Sequence, residues 1–351
     1  MVAAEQDPGA TSHGKLDIRP ASAASEILHV GYVGSESVQT LQQGRFPLAR
    51  IDFGDYQPPE VTAPWPLVRL TLPQLQAAPL TEVWTSGRPV RYFHHDGLSL
   101  AANQEILFGY FEEHESVGST LAGLVHATYR CILRGIRASG YPHLLRVWNY
   151  LPEINELSDG LERYQQFCIG RYQALVEERV EFHHDLPAAT AVGTGPGPVQ
   201  IYFLASRGAG IQIENPRQVN AYHYPRRYGP KSPSFARASL LSCADNRLFI
   251  AGTASIVGHA SRHAGDPYRQ TIESLDNIEA VIASACAAHG GGHWIGLSAC
   301  QGALMKVYVR HPEHLPAIEK ALADRLGSVP VQIYFLASRR EGIQIENPRQ
   351  V

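Results

Sequence analysis

RLFIAGTASIVGHASRHAGDPYRQTIESLDNIEAVIASACAAHGGG (247–292) decides the fold. RLFIAGTAS (247–255) begins as a strand and runs into a Gly/Thr/Ser turn. A loop holding Gly265 and Asp266 follows. Ile272, Leu275, Ile278, Val281 and Ile282 then recur at helical spacing, which predicts a helix near 268–288, stopped by the glycines at 290–292. Beyond it, ALMKVYVRH (303–311) reads as a strand, Leu315, Ile318, Leu322 and Leu326 mark a second helix, and VQIYFLA (331–337) is a last strand. The order is β-α-β-α-β.

The first half repeats that order. EILFGYF (105–111) is a strand, a helix follows near 118–138, and LLRVWNYL (144–151) is a strand. A helix near 159–178 carries Leu161, Tyr164, Phe167, Cys168, Tyr172 and Leu175. A loop rich in Gly, Pro and Ala (185–198) leads to VQIYFLA (199–205). The chain therefore reads as an α/β (α+β) protein of two related units around a pseudo-symmetric core. The expected boundaries are a flexible tail at 1–22, an N-terminal unit at 23–190, and a C-terminal unit at 191–351 that carries most of the pocket motifs. Strand ends meeting between the units make a natural pocket.

PVQIYFLASRGAGIQIENPRQV (198–219) returns as PVQIYFLASRREGIQIENPRQV (330–351), changed only at Gly208/Arg340 and Ala209/Glu341. Such identity points to a recent duplication or a chimaeric end rather than to ancient symmetry. Each copy is expected to supply the last strand of its unit.

The net charge of −3 offers no basic field for nucleic acid, and no apolar run reaches membrane-spanning length. The N-terminal residues lack the apolar core of a signal peptide. Five scattered cysteines form no CxxC, which fits a reduced, cytoplasmic setting and argues against zinc. His259 and His263 lack the intervening Glu of a zincin helix, and no GxSxG element is present. No metal site is expected.

NPRQVNAYHYPRRYGPKSPSFAR (215–237) interleaves Arg217, Arg226, Arg227, Lys231 and Arg237 with Tyr222, Tyr224, Tyr228 and Phe235. A Pro-rigid loop of this kind suits a small planar carboxylate: Arg grips the carboxylate in a fork and Tyr packs on the ring. A solvated basic loop is the competing reading. GTASIVGH (252–259) offers backbone N–H groups at a turn, or is a plain tight turn. Arg163 and Arg171 lie two turns apart on nearly one helix face, positioned to hold a dianion or to form surface ion pairs.

These segments, together with LFIAGTASIVGHASRHAGD (248–266), RVWNYLPEIN (146–155), ERYQQFCIGRYQAL (162–175) and QGALMKVYVR (301–310), resemble the chorismatases, over roughly residues 25–330. That family is similar in fold to the RidA/YjgF proteins. The resemblance implies cleavage of chorismate to pyruvate plus a ring acid, either a dihydroxycyclohexadiene carboxylate or 3-hydroxybenzoate, with or without 4-hydroxybenzoate. It implies no metal or organic cofactor, no nucleic-acid or membrane partner, and a monomer with internal pseudo-symmetry. By motif it carries Arg163, Arg217, Tyr202 and Tyr222 to the substrate, with Ala251 and Gly252 lining the pocket and Arg146 and Arg171 as further contacts. A carboxylic acid must protonate the enol-ether methylene, so burial must keep it protonated at neutral pH. The family's closing GDICRxDLxVEIE strand is replaced here by LASRREGIQIENPRQV (336–351). In one register Gln344 takes the acid's position and Ala337 that of the product-selecting cysteine. Shifted by two, Glu346 takes the acid's position. A non-catalytic chorismate or aromatic-acid binder, and a RidA-like enamine/imine deaminase, are the alternatives.

Overall fold

The structure, a computed structural model, describes residues 26–34, 44–54, 63–75, 80–242, 246–290, 296–297, 304–327, 331–335 and 344–350. Of 331–335 and 344–350 the backbone alone is described. The expected tail at 1–22 and Ala337 lie outside these residues.

The chain opens with a four-stranded sheet that the helix and strand patterns above did not include. It comprises β1 (His29–Gly34), β2 (Phe46–Phe53), β3 (Leu67–Leu70) and β4 (Leu80–Ser86), in the order β1-β4-β2-β3. The first α/β unit follows with β5 (Arg91–His95), β6 (Leu98–Ala102), β7 (Ile106–Glu113), α1 (Leu121–Ala138) and β8 (His143–Pro152). A small hairpin, β9 (Leu157–Ser158) and β10 (Leu161–Glu162), leads into α2 (Arg163–Glu177). The unit closes with β11 (Ala188–Thr194) and β12 (Val199–Ser206).

The second unit contains β13 (Ile211–Ile213), β14 (Ala238–Leu241), β15 (Arg247–Thr253), the hairpin β16 (Ile256–Val257) and β17 (Ala260–Ser261), and α3 (Pro267–Ala288). After these come β18 (Met305–Val309), α4 (Leu315–Leu326), β19 (Val331–Phe335) and β20 (Gln344–Gln350). The two six-stranded sheets run β5-β6-β7-β12-β8-β11 and β13-β14-β15-β20-β18-β19, one topology used twice.

The strand period of two sorts the core into layers. In the first unit Leu107, Val147, Ile201 and Phe203 face α1 and α2. Their neighbours Phe108, Trp148, Tyr150 and Tyr202 face the other way, against Trp84 and Ile51 of the first sheet and Phe249 and Tyr308 of the second unit. Leu248, Ile250 and Val307 in turn pack under α3 and α4. Local signals set the helix starts. Thr120 Oγ1 accepts from Gly123 N at 3.1 Å at the head of α1, and Asp266 Oδ1 accepts from Arg269 N at 3.0 Å before α3. Gly170 lets α1 and α2 touch, because a Cβ there would lie 2.2 Å from the Ala122 carbonyl oxygen.

The VQIYF stretch of the duplicated peptide does not take the same place in both units. Its first copy is β12, the central strand, antiparallel to both β7 and β8. The VQIYF of its second copy is β19, an edge strand parallel to β18. The copies are out of phase by one strand. A crossover helix returns the chain parallel to the strand before it, so β11 follows α2 and β19 follows α4 at the parallel edge. The next segment drops into the central slot, and in the second unit that segment is QIENPRQ (344–350). β11 is the element read above as part of a loop. It is buried almost throughout, so its residues AATAVGT show no alternation.

Candidate active site

A cavity of about 230 Å³ opens where the units meet. Its walls are α2, the exposed edge of β11, the loop before β14, the end of β15 with the β16–β17 hairpin, and the start of α3. Tyr164, Phe167, Phe235 and Ile256 supply flat apolar surface.

Arg171 is the one arginine on its inner wall. It is 3% exposed, and its guanidinium carbon lies 5.0 Å from the centre of the Tyr129 ring and 6.0 Å from that of Phe167. Its Nε and Nη2 have no hydrogen-bond partner among the described residues. A buried cation held by rings alone lacks the anion such a group ordinarily requires. Burial raises the Tyr129 hydroxyl pKa, against the opposing charge of Arg171, so the hydroxyl keeps its proton and donates to Asn149 Oδ1 at 2.6 Å.

From Asn149 the hydrogen bonds run on to the second unit. Asn149 Nδ2 donates to the Thr190 carbonyl at 2.7 Å. Thr190 Oγ1 accepts from Arg146 Nη2 at 2.6 Å and from Gly252 N at 2.9 Å. Thr190 therefore ties the floor of the cavity, on β11, to the rim on β15. Ser255 and Arg262 brace the hairpin, with Arg262 N donating to the Ser255 carbonyl at 2.8 Å and Ser255 Oγ to the Arg262 carbonyl at 3.0 Å. The Arg262 side chain stands exposed at the mouth. Ser234, 2% exposed, also lines the cavity, and its Oγ has no hydrogen-bond partner among the described residues.

The structure brings Arg171 and Gly252 together on this cavity, and the side chains of Arg163, Arg217, Tyr222, Arg146, Ala251 and Tyr202 do not line it. Arg163 sits at the start of α2, where Nε donates to the Pro152 carbonyl at 2.9 Å and Nη1 to Glu115 at 3.2 Å. Arg217 is held by Glu273 at 2.6 Å and Asn277 at 2.9 Å. Tyr222 accepts from Asn220 at 2.7 Å and packs edge-on against Phe182 and His183. Arg146 is buried over Trp148, its Nη1 donating to the Val147 carbonyl at 2.8 Å. Ala251 is buried beside the cavity, its N–H donating to the Arg237 carbonyl.

Tyr202 is fully buried between the sheets, stacked on Trp148, and accepts from Lys306 Nζ at 2.8 Å. Lys306 also donates to Glu82 Oε1 at 3.2 Å, and Glu82 Oε2 approaches it to 2.9 Å as an ion pair. In the sheet register Glu346 lies opposite Lys306 and Gln344 opposite Tyr308. On its other side β20 meets β15, whose register shifts between Ile250 and Thr253. Ala251 and Gly252 are the two residues of that shift. Among the described residues lining the cavity there is no carboxylic acid. Glu214, whose carboxyl burial pushes up against the opposing Gln212 hydrogen bond and Arg237 charge, lies off it. Among the described residues no group of His, Cys, Asp and Glu could hold a metal, and no helix is long and apolar enough to cross a membrane.

Sequence reasoning passed over Thr190 and Ser234. Ser234 lay within the Arg/Tyr-rich loop that drew attention, and its signal was weak: a hydroxyl fixed between Pro233 and Phe235. Thr190 lay in the segment read as a loop.

Comparison with known proteins identifies the fold as that of one enzyme family. Residues 82–205 match the family described as "Chorismatase FkbO/Hyg5-like, N-terminal". A chorismatase of Streptomyces hygroscopicus is 40% identical over 273 residues, covering 76% of this chain and 77% of the relative. A 3-hydroxybenzoate synthase of Streptomyces hygroscopicus is 38% identical over 264 residues, covering 73% and 76%. A chorismatase crystal structure superposes with a TM-score of 0.82 at 33% identity, covering 92% of this chain and 98% of that one. The chain belongs to the chorismatase family.

Proposed function

We propose that this chain cleaves the enolpyruvyl ether of chorismate to pyruvate and a ring acid in the cavity at the unit junction. The observation that carries the reading is Arg171: a guanidinium buried in an aromatic-walled cavity with no anion among the described residues. Chorismate is a planar-faced dianion. One carboxylate against Arg171 would complete the hydrogen bonding that the protein leaves open, and Tyr164, Phe167 and Phe235 would cover the ring. Arg262 at the mouth would meet the second carboxylate.

The chemistry needs one proton donor. The acid delivers its proton to the terminal methylene carbon, and the C=C electron pair forms the new C–H bond. The resulting oxocarbenium ion takes up water, the hemiketal collapses, and the C–O bond to the ring oxygen breaks to release pyruvate. One of the water's protons returns to the acid, and the other ends on the ring oxygen, which leaves as a hydroxyl. A product of the 3-hydroxybenzoate type arises when the neighbouring ring hydroxyl takes the place of water: its oxygen attacks the ring carbon that bears the ether, that C–O bond breaks to release pyruvate, the hydroxyl proton returns to the acid, and the resulting epoxide opens to the aromatic ring.

Glu346 is our candidate acid. Its register, between Lys306 and the shifted pair Ala251–Gly252, supports it, since Gly252 forms the rim of the cavity. Gln344, two residues away, can hydrogen bond but cannot supply the proton.

The test is to incubate the purified full chain with chorismate and measure pyruvate and the ring product together. Equimolar release of both is expected. Binding of chorismate without pyruvate would contradict the reading and favour a non-catalytic binder. Ammonia release from an enamine, with chorismate untouched, would favour a deaminase.

A further inference from the structure

Beside Arg171, Ser234 is a second buried polar group lining the cavity without a hydrogen-bond partner among the described residues. Its backbone is fixed on both sides. Pro233 precedes it, and two residues on, Ala236 N donates to the Pro187 carbonyl at 3.1 Å while Ala236 bridges Ala188 of β11. The hydroxyl is thus presented by a rigid segment and is 2% exposed. Buried hydroxyls are ordinarily hydrogen-bonded, and one left open at a binding site marks a place for a ligand atom.

The chemistry of the neighbouring groups narrows what that atom is. Arg171 and Arg262 only donate, so they suit carboxylates and cannot accept a proton. Thr190 Oγ1 already accepts from Arg146 and Gly252. A serine hydroxyl both donates and accepts, and chorismate has a single hydrogen-bond donor, its ring hydroxyl.

Resting on the proposed function above, we infer that Ser234 reads the ring hydroxyl of the substrate and is a specificity-determining residue of the site. Recognition of chorismate is then divided: Arg171 takes charge, and Ser234 takes the neutral hydroxyl. A site that hydrogen-bonds a substrate hydroxyl discriminates against an analogue lacking it, because the protein's own group is left unpaired.

The experiment measures kcat/KM for pyruvate release by the wild type and Ser234→Ala, each with chorismate and with the analogue lacking the ring hydroxyl. Calorimetric binding of both compounds is run in parallel. The wild type should prefer chorismate, and Ser234→Ala should lose about tenfold on chorismate while changing little on the analogue. Unchanged thermal unfolding of the variant excludes a folding defect. An equal loss on both compounds would overturn the inference, since Ser234 would then be serving a carboxylate or the wall. So would an unchanged preference. If the wild type neither cleaves nor binds chorismate, the proposed function itself fails, and calorimetry separates that outcome from the others.

Discussion

Lys306 and Arg171 are both buried cations, and the two regions that hold them treat charge in opposite ways. Lys306, 2% exposed, lies between the sheets with Glu82, the Tyr202 hydroxyl and the faces of Trp148 and Tyr202 around it. Arg171, 3% exposed, has only the rings of Tyr129 and Phe167. Where the fold needs a buried charge for itself, it supplies the counter-charge, here from a strand 224 residues away. Where the counter-charge is missing, the cavity is built for one brought from outside. The paired region stabilises the assembly of the three sheets, and the unpaired region gives up stability to bind.

The largest effect should come from breaking the paired region. Glu82→Ala leaves the Lys306 ammonium buried without its carboxylate, at a cost of about 3–5 kcal/mol in urea unfolding. Replacing both partners with apolar residues of similar volume, Glu82→Leu with Lys306→Met, should recover most of that. A double variant as unstable as the single one would show that packing, not charge, decides the region.

Next in size is the tie between the regions. Thr190→Val keeps the shape but strands the Gly252 N–H, so the folded state should lose about 1–3 kcal/mol of stability. Turnover should fall with it, because the Gly252 rim loses its anchor. Full stability in Thr190→Val would mean that the two units hold their relative position without this hydroxyl.

The smallest effect under ordinary conditions is a pH dependence in the pairs that the fold supplies. Burial alone would push the Glu26 carboxyl up, but hydrogen bonds from His29 and Arg45 and the charge of Arg247 outweigh it and hold the pKa at about 2. The folded value lies below the ordinary 4.5, so this carboxylate's contribution to stability is complete above that pH and is lost as pH falls toward 2. The stability gap between wild type and Glu26→Gln should therefore be constant near neutrality and close in that acid window. A gap that persists at pH 2 would mean that Glu26 acts by packing.

The sequence made the two helix-bearing units legible because their strands and helices carry clean periodicities. Leu275, Ile278 and Ile282 mark α3, and the alternation of β12 survives in its two faces. β11 was lost because it is buried on both faces and built of small residues. β20 was lost because QIENPRQ has polar residues and a proline where a strand pattern would show apolar ones. The site was harder still. Arg163 and Arg171 look equivalent on a helical wheel, yet tertiary packing gives one of them Glu115 and the other only rings. Charge partners that arrive from distant strands cannot be read from spacing.

Arg171→Gln tests the central claim most directly, read as kcat/KM for pyruvate release from chorismate beside the unfolding midpoint. Removing a buried charge that has no counter-charge among the described residues should leave the midpoint unchanged or raise it, while kcat/KM falls by about a hundredfold or more for the lost charge-assisted grip on a carboxylate. Activity within a few-fold of wild type, or a midpoint several degrees lower, would show that Arg171 serves the fold rather than the substrate.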